Sequence, residues 1–97
     1  MVRGLPFTFI FNSPIKVSEI AQIKVTIKVN DVTCIARDIT ALSLDKNKNT
    51  ITWQLTANDT SRLPIGDGNM ACISVVIQDI YRKTHYSRTE QEPIYMG

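Results

Sequence analysis

The sequence predicts an all-β sandwich, and three observations carry that prediction. Apolar residues recur at every second position in two long stretches, and turn-forming residues divide the chain into short segments. No stretch longer than about two turns shows helical spacing. Period-two alternation sends successive side chains to opposite faces of a strand, so one face can be buried while the other stays wet.

Phe7, Phe9 and Phe11 share one face of the first expected strand, which Pro6 opens and Pro14 closes. The second strand is the clearest, with Ala21, Ile23, Val25, Ile27 and Val29 alternating with Gln22, Lys24, Thr26 and Lys28. Asn30-Asp31 follows, and both residue types tolerate the positive φ of a two-residue hairpin. Val32 to Arg37 is the returning strand, and Ile39 to Leu44 reads as another short one. The polar run Asp45 to Asn49 forms a turn, after which Ile51, Trp53 and Leu55 mark the inner face of a strand from Thr50 to Thr56.

Thr56-Ala57-Asn58-Asp59 has the spacing of a helix N-cap with an acidic first turn, so one helical turn is expected near 57–62. Pro64, Gly66 and Gly68 stop it. Met70 to Gln78 is a second strong strand, with Ala71, Ile73, Val75 and Ile77 in phase and Cys72, Ser74, Val76 and Gln78 on its other face. Tyr81 to Thr84 reads as a turn and His85 to Ile94 as a last, more polar strand. About seven short strands with turns at such spacing predict an antiparallel, immunoglobulin-like β-sandwich. At 97 residues there is room for one domain, assigned to 1–97.

Composition narrows the function classes. Eleven basic and nine acidic residues leave a net charge of +2, too small an excess to argue for an anionic partner. No apolar run approaches the roughly 20 residues that span a membrane. Leu5 to Phe11 follows Arg3 but reads as a strand better than as a secretory leader, because no small-residue cleavage site follows. Cys34 and Cys72 are therefore expected to be reduced thiols of a cytoplasmic protein.

Motif tests return structural readings. His85 is the only histidine, so every triad or histidine–metal scheme must use it, and its neighbours Thr84 and Tyr86 face away from it along a strand. Asp45, Asn47 and Asn49 imitate the first half of a calcium loop, yet Thr50 and Thr56 stand where the glycine and the bidentate glutamate are needed. The order Cys34, Trp53, Cys72 imitates an antibody domain, but the cysteines are too close and Met70 replaces the corner tyrosine. Asn58-Asp59-Thr60 is a glycosylation sequon that matters only in an exported eukaryotic protein. The segment from Tyr81 through Arg82, Lys83 and Tyr86 to Arg88 mixes cations with aromatics, the composition of a single-strand nucleic-acid surface and also of a solvated hairpin.

Several segments together resemble small immunoglobulin-like proteins of phage and prophage structural modules in Gram-positive bacteria, similar to the N-terminal sandwich of baseplate upper proteins. They are the initial F-x-F, the A-Q-I-K-V-T-I-K-V strand, N-T-I-T-W-Q-L-T-A-N-D-T and G-D-G-N-M-A-C-I-S-V-V-I-Q-D. Leu55, Thr56, Asp59, Thr60 and Gly66 are the sharpest points of the likeness, while Tyr81 to Thr84 departs from its usual Asp-Gly turn. The resemblance implies a particle or assembly component that is not an enzyme and needs no cofactor, with partners in its own copies or other particle proteins. It would be made in the cytoplasm and incorporated in a virion. Candidate contact residues are Cys72, Val76, Tyr81, Arg82, Lys83, Tyr86, Arg88, Ile94 and Tyr95. The competing readings are a nucleic-acid adaptor using 81–88, and a carbohydrate-binding sandwich using Trp53, Tyr81 or Tyr86.

Overall fold

A computed structural model describes residues 1–66, 68–86 and 89–95. Among the described residues the alternating segments form eight strands: β1 (Phe7–Asn12), β2 (Ile20–Val29), β3 (Val32–Asp38), β4 (Leu42–Asp45), β5 (Thr50–Leu55), β6 (Met70–Asp79), β7 (Thr84–Tyr86) and β8 (Glu90–Pro93). One sheet has the order β1-β5-β4. The other has the order β3-β2-β6-β7, with β8 also paired to β6. All these pairings are antiparallel.

Burial explains the pairing. Phe9, Phe11, Ile51, Trp53 and Leu55 of the first sheet, and Val25, Ile27, Ile35, Ile73, Val75 and Ile77 of the second, are buried in a common core. Each pair of facing strands contributes every second residue, as the period requires. A one-residue slip anywhere in β2 or β6 would turn this row to water.

The turns follow residue chemistry. Asn30 and Asp31 have φ of 52° and 64° and close the β2–β3 hairpin with Val29 opposite Val32. Thr56 and Asp59 form a reciprocal capping box on α1 (Ala57–Ser61): the Thr56 hydroxyl accepts from the Asp59 N–H, and the Asp59 carboxylate accepts from the Thr56 N–H. Arg37 of β3 reaches Asp59 at 3.1 Å and so links the second sheet to the helix that follows the first. Burial pushes the Asp59 carboxyl up, but the Thr56 hydrogen bonds and the Arg37 charge outweigh it and hold the group below the usual range.

Three expectations are corrected. Ala21 is exposed because the β2–β6 register shifts between Ile20 and Gln22, and the resulting bulge turns Ile20 inward instead. Residues Ile39–Ala41 form a 3₁₀ turn, capped by the Asp38 side chain, which carries the chain between the sheets; the strand starts only at Leu42. The expected last strand is two, β7 and β8, both paired to β6. Lys24 and Lys28 lie on the wet face of β2, which is an inner strand flanked by β3 and β6.

The β6–β7 turn holds Arg82 at φ 67°, a left-handed conformation where glycine is usual. For a residue with a Cβ this costs about 1–2 kcal/mol, against about 0.5–1 kcal/mol of extra chain entropy for glycine. Arg82→Gly is therefore expected to raise stability by about 0.5–1 kcal/mol, read as a higher urea midpoint with unchanged slope.

Candidate interaction surface

Outward side chains of the second sheet lie in cross-strand rows fixed by register. Asp38, Lys24, Val76 and Tyr86 make one row; Gln22, Gln78 and Thr84 make the next. On the other side come Thr26 with Ser74, then Lys28 with Cys72 and Gln91. A shallow open groove of about 880 Å³ crosses β3, β2 and β6, lined among others by Lys24, Ala36, Asp38, Val76 and Gln78. Tyr86, 78% exposed, borders Val76 on the far side from Lys24. The arrangement offers a partly apolar floor, one ring and a few charges, which suits contact with another chain.

At one end of this face the β6–β7 turn is built around Asp79. Its buried carboxylate accepts the N–H groups of Tyr81 at 2.9 Å and Lys83 at 2.8 Å, and His85 Nε2 donates to it at 2.9 Å. Asp79 and His85 share the inner face because His85 stands opposite Ile77, two residues before Asp79. The sequence reading passed over Asp79; its signal was an aspartate closing a strand two residues before an unpaired turn N–H. Tyr81, Arg82 and Lys83 are exposed on the loop this carboxylate shapes.

The His85 hydrogen bond, with those of Lys83 and Tyr81, holds the Asp79 carboxyl below its ordinary value against the opposing effect of burial. A depressed folded-state value means stabilisation that is complete above the unfolded value and lost as pH falls through the folded one. Stability is thus expected to fall as pH drops below about 4, and Asp79→Asn to flatten part of that slope, checked by thermal melts from pH 6 to about pH 2. Asp38, lowered by the Thr40 hydroxyl and N–H, and Asp59, also lowered, act in the same direction.

The structure sorts the expected contact residues. Val76 and Cys72 are half-buried on the outer face, Tyr86 joins Val76 there, and Tyr81, Arg82 and Lys83 cap one end. Tyr95 is exposed beyond β8. Ile94, expected as an exposed apolar group, is instead buried at 6% exposure. The reason is the N-terminal segment: the Tyr95 N–H bonds to the Met1 carbonyl and the Arg3 N–H to the Tyr95 carbonyl, so Ile94 is covered and joins the core. Arg88 lies outside the described residues.

The other motifs resolve into structure. Trp53 is 1% exposed and unavailable as a sugar platform. The Asp45 carboxylate accepts the N–H groups of Asn47 and Lys48, and Asn49 bonds Val17, Ser13 and Ile15, so the calcium-like residues tie two turns together. Cys34 and Cys72 are free and sit in β3 and β6 of one sheet, unlike the inter-sheet pair of antibody domains. Among the described residues no three histidine, cysteine or acidic groups gather as a metal site, and no helix is long and apolar enough to cross a membrane.

Two facing antiparallel sheets, with a capped helical turn leading into β6, define an immunoglobulin-like β-sandwich. A solved structure with this fold is the extracellular domain of mouse leukocyte-associated immunoglobulin-like receptor 1, crystallised as a strand-swapped dimer. It aligns over 97% of this chain and 83% of its own, with a TM-score of 0.50 and 11% identity. That likeness shows the fold alone. No protein-family model matches the chain, and neither does any curated protein.

Proposed function

We propose that this protein is a non-catalytic structural or assembly component of a phage or prophage particle, acting through protein–protein contacts. It would be made in the cytoplasm and built into the particle. The observation that carries this reading is how its side chains are used. Its one histidine and the carboxylates of Asp38, Asp59 and Asp79 serve turns, caps and a sheet-to-helix bridge. Ile10, Ile65, Ile80, Tyr81, Tyr86 and Tyr95, by contrast, stand 55–78% exposed. Apolar and aromatic groups left in water on strands and turns are what a binding module presents.

The test is composition: gradient-purified particles should contain the protein in fixed stoichiometry, identified by mass spectrometry. Particles that assemble, infect and contain none of it would remove the proposal.

A second reading has its own observation, the cations and rings around Val76. Lys24 and Tyr86 flank it, and Tyr81, Arg82 and Lys83 extend from the adjoining turn. A single nucleic-acid strand would bind there with an affinity falling steeply with salt. Gel shifts unchanged by substituting Arg82, Lys83 and Arg88 would exclude it.

A further inference from the structure

Among the described residues the sandwich has four sheet edges, and three of them are blunted. β4 is only four residues long and ends in Asp45. β3 carries Arg37 and Asp38 and is bulged opposite Ile27 and Lys28. The last edge is divided between β7 and β8, and β8 holds Glu90, Glu92 and Pro93. Short length, charge, bulges and proline are the devices that stop strands from pairing with another molecule.

β1 has none of them. Its six residues, Phe-Thr-Phe-Ile-Phe-Asn, carry no charge and pair with β5 in unbroken register from Phe7↔Leu55 to Asn12↔Thr50. It is the end strand of its sheet, so on its other side every second residue has a backbone N–H and C=O with no strand partner among the described residues. Ile10, on its outward face, is 62% exposed. In the immunoglobulin arrangement a further strand lies on this edge. Here residues 1–5 run elsewhere: Val2 bridges to Tyr95, Arg3 bonds the Ser61 and Leu63 carbonyls, and Gly4 bonds Thr60.

We infer that β1 is a self-association edge, which pairs antiparallel with β1 of a second copy to join two three-stranded sheets into one of six. The inference rests on the reading of the chain as a protein–protein module and names the partner. Neutrality selects a second copy: two chains of net charge +2 meet along a strand that places no like charges opposite each other. The sequence is also self-complementary about Ile10. With Ile10 on the two-fold axis, Thr8 faces the partner's Asn12 on the outer side and Phe9 faces the partner's Phe11 on the core side. Polar then meets polar and apolar meets apolar, in a closed isologous contact.

The experiment uses charge swaps and cross-links. Ile10→Lys and Ile10→Glu alter an exposed side chain, so each should keep the wild-type circular dichroism, and its melt at dilutions where wild type is itself monomeric. Each alone should have the monomer mass of 10.9 kDa in light scattering, while wild type and the equimolar low-salt mixture of the two variants should have about twice that. With Cys34 and Cys72 replaced by serine, oxidised Ile10→Cys should form a covalent dimer. Thr8→Cys should do so only when mixed with Asn12→Cys. Wild-type protein that stays at monomer mass at millimolar concentration overturns the inference, as does a dimer unaffected by Ile10→Lys. Neither result touches the test by particle composition, whose failure would instead remove the functional reading and leave the edge pairing standing.

Discussion

Trp53→Ala is expected to lower stability by about 3–5 kcal/mol, the usual cost of removing a buried large aromatic side chain. Trp53 lies at the centre of the first sheet, opposite Phe9 of β1 on one side and Leu42 of β4 on the other. It is 1% exposed and in the core cluster with the β6 row of Ile73, Val75 and Ile77. A domain of this size has about 5–15 kcal/mol in total, so the substitution removes a large share of it. Urea unfolding followed by circular dichroism should show a much lower midpoint, and a folded baseline that is short or missing. Trp53→Phe should recover most of the loss. A midpoint unchanged in Trp53→Ala would mean that the tryptophan is not packed between the sheets.

Thr60→Val should cost about 1–3 kcal/mol although it keeps the volume of the side chain. Thr60 is fully buried, and its hydroxyl donates to the Leu5 carbonyl at 2.8 Å while accepting the Gly4 N–H at 3.0 Å. Valine leaves both of those groups without this partner. The loss has a local signature, because Thr60 works with Arg3, whose guanidinium bonds the Ser61 and Leu63 carbonyls at the end of α1. Hydrogen exchange at Gly4 should accelerate more than exchange at β6, and trypsin should cut faster after Arg3. A uniform acceleration in all strands would show a global loss instead of a released N-terminal segment.

The two long strands were legible because each buries one face along its whole length, and that is what alternation records. Thr56 and Asp59 were legible for a different reason, as a cap is a local contact between residues three apart. Bulges are not local in this sense. Ala21 continues the apolar phase of Ile23 and Val25, yet the β6 register expels it, and only the partner strand specifies that. Ile94 was misplaced because Met1, Val2 and Arg3, some ninety positions away in sequence, cover it. Asp79 and His85, six positions apart, come to 2.9 Å only through the β6–β7 register.

The contact surface was legible in its parts. Val76 shows its outward phase by alternation, but Tyr86 and Lys24 become its neighbours only through the β6–β7 and β2–β6 pairings. The free edge of β1 could not be read at all from single strands. Phe7, Phe9 and Phe11 announce a buried face, whereas an edge is a property of the strand order.

The most direct test of an edge-pairing sandwich is the mass of the wild-type chain in solution, measured by size exclusion with light scattering over a dilution series. The account predicts a mass that rises with concentration from 10.9 kDa toward twice that value and stops there. A mass fixed at 10.9 kDa up to millimolar concentration would contradict it.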